Sequence, residues 1–219
     1  MSGITIIEGA SDAEIADWLE QALIRLWARK EGVGDWDIGI AVPGGSTPFP
    51  IIEELASRHT GTNPDFDFTR LFVYPTDDRI VPEVHPASNT GKIRKLLQPE
   101  GAVMRPLTDL ETMPELDLVW LGMGEDGHIA SLFPNTDPQV DDPLAVRRLT
   151  PDPLPPHAPF DRITLTLPSL LAARELMLVI RGDKKRQVFE AAARGTSDLP
   201  VARLLKAAHE RCIPVTVFT

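Results

Sequence analysis

A short apolar run followed by a glycine turn and a helix start is the pattern that most narrows the fold of this chain. Residues 38–42 form the apolar run and Pro43-Gly44-Gly45 ends it, which predicts a buried strand entering a tight turn. Thr47-Pro48 then opens a predicted helix, since proline suits a first helical turn. Such a unit places free backbone N–H groups and the positive end of a helix dipole at the carboxyl end of the strand, where anions bind well.

The same order of elements repeats along the chain. Further strands are predicted at residues 4–7, 71–74, 116–121, 162–167, 176–180 and 213–218, with the strand at 162–167 expected to be half-buried. Helices are predicted between most of them, the first opening with a capping box of Ser11 and Glu14. This alternation implies a mostly parallel sheet with helices on both faces, so we expect a three-layer, Rossmann-like α/β fold. Ligands bind such sheets at the carboxyl ends of the strands, near a reversal of strand order.

Length and composition predict a single domain over residues 1–219, because no repeat and no change of composition divides the chain. Its apolar runs are too short to span a membrane. The first residues carry neither a basic start nor a long apolar segment, so we expect no secretory signal and a cytoplasmic location. The single cysteine, Cys212, cannot form an internal disulfide, which fits a reducing compartment.

The net charge of −10 argues against non-specific binding of nucleic acid, which depends on clustered basic residues. It leaves room for an anionic small molecule, because a few local cations can hold a phosphate while distant surface charges are screened. We therefore expect a small-molecule partner, with no nucleic acid and no membrane. The oligomeric state, monomer or dimer, stays open.

Residues 134–160 are rich in proline and show no regular apolar spacing. A loop of this length inside a compact domain is usually functional. We expect it to form a partly ordered rim of the active site.

Residues 121–134, LGMGEDGHIASLFP, follow a predicted strand and hold the strongest catalytic candidate. His128 comes directly after Asp126-Gly127, which predicts an imidazole beside a carboxylate at the carboxyl edge of the sheet. An imidazole with an unperturbed pKa of about 6.5 can take a proton from water near neutral pH, so His128 is a candidate general base. The glycines at 122, 124 and 127 also spell a dinucleotide-binding fingerprint, but the long helix and later acid that complete it are missing.

Other catalytic chemistries find less support. No histidine or cysteine pair has the spacing of metal ligands, so no metal site is expected. Ser46 and Ser131 both lack the surroundings of a serine nucleophile. Arg79 and Arg162 each adjoin a predicted strand end, where a guanidinium can clamp a phosphate. His85 lies in a loop before a helix start, where a turn role and a ligand contact are equally open.

Taken together, these motifs resemble the 6-phosphogluconolactonases, within a superfamily that includes glucosamine-6-phosphate deaminase. The similarity runs from about residue 39 to residue 205, in the family's order. It rests on PGGSTP at 43–48, DDRIVP at 77–82 followed by His85 and Ser88-Asn89, GMGEDGHIASLFP at 122–134, RITLTLP at 162–168 and GDKK at 182–185.

The resemblance implies hydrolysis of 6-phospho-D-glucono-1,5-lactone to 6-phosphogluconate in the oxidative pentose phosphate pathway, without a cofactor. It implies that His128 is the base that takes a proton from water and that Asp126 orients it or tunes its charge. The implied substrate-binding residues are Gly44, Gly45, Ser46, Thr47, Asp78, Arg79, His85, Asn89, Arg162 and Lys185. Two positions depart from the family's pattern: Asp78 stands where glutamate is usual, and Glu125 stands where proline is common.

Two other functions stay open at this point. An amino-sugar-phosphate deaminase or isomerase would use Asp77 or Asp78 as the base, but that group typically continues its histidine motif towards F-N-E-P, whereas this chain has S-L-F-P at 131–134. A non-catalytic sugar-phosphate sensing domain would normally accompany a DNA-binding module, and nothing before Ile38 is basic or long enough to be one.

Overall fold

Seven parallel strands form the main sheet of the protein in this computed structural model, which describes residues 3–31, 37–58, 67–107, 112–155 and 158–219. The strands are β1 (Ile4–Ile7), β2 (Ile38–Val42), β3 (Leu71–Pro75), β4 (Asp77–Arg79), β5 (Val103–Met104), β6 (Leu116–Leu121), β7 (Val146–Leu149), β8 (Arg162–Leu165), β9 (Ala173–Val179) and β10 (Val215–Phe218). The helices are α1 (Asp12–Glu31), α2 (Pro48–Ser57), α3 (Asn89–Leu97), α4 (Leu167–Leu171), α5 (Asp183–Ala193) and α6 (Pro200–Glu210).

The main sheet has the strand order β1-β10-β9-β6-β2-β3-β5, and every pair in it is parallel. One buried apolar cluster joins the sheet to α1, α2 and α3, and a second joins it to α4, α5 and α6. All six residues of β6 are buried, as expected for a central strand covered on both faces. The predicted three-layer α/β fold is therefore confirmed.

The capping box at the first helix is also confirmed. The Ser11 amide donates to the Glu14 carboxylate at 2.8 Å, and the Glu14 amide donates back to Oγ of Ser11 at 3.3 Å. No described helix combines the length and the apolar character that a membrane crossing requires.

A second, three-stranded antiparallel sheet has the order β4-β8-β7, which the sequence did not predict. The prediction that residues 162–167 form a half-buried strand is wrong about burial, because all four residues of β8 are buried between two neighbouring strands. No strand is predicted at residues 77–79, where β4 forms, and β7 lies inside residues 134–160, where a loop is predicted.

The order of the main sheet reverses between β2 and β6. From β2 the chain moves outward to β3 and β5, and it then returns to place β6 on the other side of β2. The two connections that leave these neighbouring strands therefore separate and leave a crevice at their carboxyl ends. The glycine turn after β2 and the glycine stretch after β6 both lie at this crevice.

Candidate active site

A cavity of about 240 Å³ lies at the carboxyl ends of β2 and β6. It brings together eight of the predicted site residues: Gly44, Gly45, Ser46, Thr47, Arg79, Asn89, His128 and Lys185. Its wall also includes Asp77, Trp120, Ala130 and Val179. The position matches the one expected from the reversal of strand order.

His128 and Asp126 form a hydrogen-bonded pair at this cavity. Nδ1 of His128 lies 2.6 Å from Oδ1 of Asp126, and the Asp126 carboxylate also accepts from the His128 amide at 3.2 Å. The hydrogen bond from the His128 side chain lowers the pKa of Asp126 below its usual range. An ionised carboxylate can only accept, so Nδ1 carries the proton and Nε2 of the neutral ring is left as a proton acceptor.

Gly124 is required by the close approach of this pair. A Cβ atom at residue 124 would lie 2.2 Å from Nδ1 of His128 and 2.6 Å from Oδ1 of Asp126. Gly127 has a φ of +77°, and a Cβ there would collide with Leu199. The glycines thus let a carboxylate and an imidazole fold onto the backbone.

The dinucleotide fingerprint is not matched by the structure. After β6 the chain forms isolated bridges, Met123 with Ile129 and Ile129 with Leu132, followed by a short 3-10 turn at Pro134–Thr136. A dinucleotide site needs a long helix directly after these glycines, with its N-terminus at the pyrophosphate. The described chain has none there.

Ser131 attaches the His128 loop to the small sheet. Its amide donates to Oγ1 of Thr164 at 3.1 Å, and its hydroxyl donates to Oδ2 of Asp77 at 2.6 Å. Ser131 and Thr164 are both buried, so their bond is shielded from water, whereas the bond to Asp77 is only partly buried. The ring of Phe133 packs on the imidazole of His128, with ring centroids 4.8 Å apart.

Arg79 reaches the cavity with the support of Asn89. One guanidinium nitrogen of Arg79 donates to the side-chain oxygen of Asn89 and to the carbonyl of Ala87, and the Asn89 amide group donates to the carbonyl of Asp77 at 2.9 Å. A Cβ at Gly44 would overlap the Asn89 side chain, at 1.9 to 2.4 Å. The first glycine of the turn is therefore needed so that Asn89 can hold Arg79.

Asp78 lies outside the cavity, although it was predicted to contact substrate. Successive residues of a strand face opposite sides, so Asp77 and Arg79 line the cavity while Asp78 turns away from it. Its carboxylate is buried and accepts from the amides of Asn89 and Thr90, at 2.6 and 2.9 Å. It also accepts from the hydroxyl groups of Ser88 and Thr90. Asp78 thus holds the start of α3, where Ser88 is the N-cap.

Arg162 is another predicted contact that does not line the cavity. It faces Arg79 across the β4–β8 pair and is only 4% exposed. Burial, reinforced by the charge of Arg79, lowers the pKa of Arg162. One of its nitrogens donates to the carbonyl of Ala158 at 2.9 Å.

His85 also stays outside the cavity. Its ring is exposed, Nδ1 accepts from the Ala87 amide at 3.1 Å, and the ring packs edge-on against Phe160 with centroids 5.3 Å apart. The sequence left a turn role and a ligand contact open for His85, and these contacts match the turn role.

Lys185 lines the cavity from the first turn of α5, while its neighbour Lys184 does not. The ammonium group of Lys184 lies 3.6 Å from the Glu125 carboxylate, and both side chains are exposed. The acid that replaces the family's common proline therefore has a local partner, and its charge is partly offset.

The expected rim at residues 134–160 takes a different position. None of its described residues lines the cavity. Arg203 of α6 holds its first part by donating to the Asp137 carboxylate at 2.5 Å and to the carbonyl of Pro138 at 2.9 Å. Its later part contributes β7 to the small sheet.

The site contains residues that sequence reasoning did not assign to it. Trp120 and Val179 lie at the ends of buried strands, and their apolar side chains carry no signal that separates a cavity wall from a core. The sequence indicates Asp77 only as a possible base of the deaminase or isomerase alternative. The strand alternation of β4 would have indicated it, had that segment been recognised as a strand.

Comparison with known proteins places the chain in a family. The family described as glucosamine-6-phosphate isomerases/6-phosphogluconolactonase matches residues 10–107 and 98–213. A 6-phosphogluconolactonase from Pseudomonas aeruginosa is 35% identical over 192 residues, covering 77% of this chain and 77% of the relative.

Solved structures share the fold. A 6-phosphogluconolactonase from Shewanella baltica matches with a TM-score of 0.77 at 23% identity, covering 99% of this chain and 97% of that chain. A monomeric glucosamine-6-phosphate deaminase matches with a TM-score of 0.74 at 16% identity, covering 98% and 96%. The fold alone thus fits both activities, whereas the sequence matches confirm the predicted resemblance: the chain belongs to the glucosamine-6-phosphate isomerase/6-phosphogluconolactonase family.

Proposed function

We propose that this protein hydrolyses 6-phospho-D-glucono-1,5-lactone to 6-phosphogluconate, with His128 as the general base. The observation that best supports this is the His128–Asp126 pair, because it leaves Nε2 free to accept a proton at a cavity that also holds two cations, Arg79 and Lys185. A base beside clustered positive charge suits an ester whose hydrolysis creates an oxyanion. The relatives named 6-phosphogluconolactonase add weight to the same reaction.

In the proposed reaction, Nε2 of His128 takes a proton from a water molecule while the water oxygen attacks C1 of the lactone. The carbonyl oxygen becomes an oxyanion, and the Asp126 carboxylate stabilises the imidazolium that forms. The bond between C1 and the ring oxygen then breaks, and His128 returns its proton to that oxygen. One water is consumed, a carboxylic acid and a hydroxyl are formed, and the imidazole ends neutral.

Two anionic centres need positive partners in this scheme, the substrate phosphate and the oxyanion. Arg79 and Lys185 are the two Lys or Arg side chains that line the cavity among the described residues. Nε of Arg79 is buried without a hydrogen-bond partner, and a bound anion would provide one. Residues 44–47 add the N-terminal end of α2, whose dipole favours negative charge.

We place the reaction in the cytoplasm and assign it no cofactor. A δ-lactone is an activated ester, so an oriented water, a base and oxyanion stabilisation supply what its hydrolysis needs. Asp126 and His128 are then catalytic, and the cavity residues bind the substrate.

The deciding experiment offers the purified protein two substrates in parallel. We expect acid production from the lactone well above the spontaneous opening measured without enzyme, and no ammonia from glucosamine 6-phosphate. Ammonia release would favour the deaminase. Binding of 6-phosphogluconate without turnover above background would favour a sensing domain.

A further inference from the structure

Asp77 needs an explanation that the proposed reaction does not give. Among the described residues it is the only carboxylate that lines the cavity, where Arg79 and Lys185 would attract a phosphate. A carboxylate there repels the same anion. Unless Asp77 makes a favourable contact with another part of the substrate, its charge weakens binding.

One oxygen of the Asp77 carboxylate is held by a short hydrogen bond. Its Oδ2 accepts the hydroxyl of Ser131 at 2.6 Å, and Ser131 is itself buried in the loop that carries His128. Its Oδ1 has only a long contact, 3.4 Å from the hydroxyl of Thr76. Asp77 is half-buried, so one oxygen is occupied and the other is free to accept at the cavity.

We propose that Asp77 recognises the hydroxyl groups of the sugar, and that Ser131 is the positioning residue that holds it for this task. Ring hydroxyls are hydrogen-bond donors, and an ionised carboxylate only accepts, so the two are complementary. The carboxylate then selects a polyhydroxylated phosphate over a phosphate without hydroxyls, since the latter meets the repulsion and receives no hydrogen bond in return.

This inference rests on the proposed function, because it takes the sugar phosphate as the ligand of this cavity. It also gives the serine of S-L-F-P a role. Its hydroxyl links the loop of the base to the strand that carries Arg79, so Ser131 sets the distance between two parts of the site.

The test compares two ligands on the same protein by calorimetry. The first is 6-phosphogluconate, and the second is 6-(phosphonooxy)hexanoate, which keeps the phosphate and the carboxylate but has no hydroxyls. We expect Asp77→Asn to lower the preference for 6-phosphogluconate by about 10- to 100-fold, the size of one or two hydrogen bonds to a charged group. Because the ratio is measured within one variant, a general loss of stability does not change it.

Ser131→Ala should lower the same ratio by about 3-fold, and it should have no further effect when Asp77→Asn is already present. Glu125→Gln is the matched control, since it removes one nearby negative charge outside the cavity and should leave the ratio unchanged. An unchanged ratio in Asp77→Asn would overturn the inference. Failure of the proposed function is a separate result: the unmodified protein would then not accelerate lactone hydrolysis.

Discussion

The main sheet and the small sheet supply different parts of the candidate site. The main sheet delivers the turn at residues 44–47, the loop with His128, and Lys185 after β9. The small sheet delivers Asp77 and Arg79 from β4. We interpret the first set as the parts that transfer the proton and that bind anions through the backbone and the Lys185 ammonium group. We interpret the second set as the parts that recognise the substrate through strand-borne side chains.

The difference lies in how each set is held. The glycines of the main-sheet loops allow the backbone to come close to the proposed catalytic groups, as Gly124 does beside His128. The small sheet instead uses strand alternation, which sends Asp77 into the cavity and Asp78 into the start of α3. Variants that separate these two kinds of support test the comparison.

The largest effect is expected at the main sheet. His128→Ala should lower kcat for the lactone by about 10²- to 10⁴-fold, because it removes the proposed base. Rates must be corrected for spontaneous opening of the lactone. His85→Ala is the control, since that ring lies outside the cavity and should give nearly normal rates. Near-normal turnover by His128→Ala would contradict the proposed mechanism.

The next effect is on stability and concerns the neighbouring acids of β4. Asp78→Asn should lower the free energy of unfolding by about 2 to 4 kcal/mol, because its amide nitrogen would face the N–H donors that the buried carboxylate now accepts. Urea denaturation measures it. Asp77→Asn should cost about 1 kcal/mol or less, since Asp77 is half-buried and makes one short side-chain bond. Equal losses of unfolding free energy in the two variants would show that Asp78 contributes no more to the fold than Asp77 does.

A smaller effect is expected from a single methyl group. Gly124→Ala should lower kcat/KM by about 10- to 100-fold, because its Cβ would displace the imidazole of His128 by a fraction of an ångström or more. Gly122→Ala is matched to it, since a Cβ there meets nothing closer than Pro43 at 4.0 Å, and its loss should be much smaller. Equal activity of the two variants would show that the close approach is not required.

The smallest effect is electrostatic. In an NMR titration, the Asp126 carboxyl group should show a pKa below the usual aspartate range. This pKa should rise in His128→Ala, where the hydrogen bond is lost. A depressed carboxyl pKa stabilises the fold above the unfolded value of about 3.9, and this contribution is lost as the pH falls through the folded pKa. The carboxylate is half exposed, so the gain in stability is small. An unchanged pKa in the variant would assign the shift to another cause.

Sequence alone predicted the parts of the fold that follow from local periodicity. Apolar runs gave the strands of the main sheet except β5, which has only two residues, Val103 and Met104. β4 and β7 could not be predicted, because DDR and VRRL are largely charged and become strands only by pairing with β8. Their structure depends on residues far along the chain.

The site, like the fold, was predictable only in part from the sequence. His128, Arg79, Asn89, Lys185 and the glycine turn were predicted and lie together at the cavity, although their roles stay proposals. Asp78, Arg162 and His85 were predicted as contacts but lie elsewhere. A motif identifies a stretch of sequence, whereas the face of a strand decides which of its residues reaches a ligand.

The place of β10 between β1 and β9 bears on how the chain folds as it is synthesised. The segment Ile4–Ile7 pairs with Val215–Phe218 and with no other strand of the described chain. During synthesis, β1 therefore has no partner, and β9 has none on the side where β10 will lie, until β10 has left the ribosome. An early apolar strand without a partner is a site of aggregation. Completion of β10 is then the event that joins both β1 and the rest of the sheet into one structure.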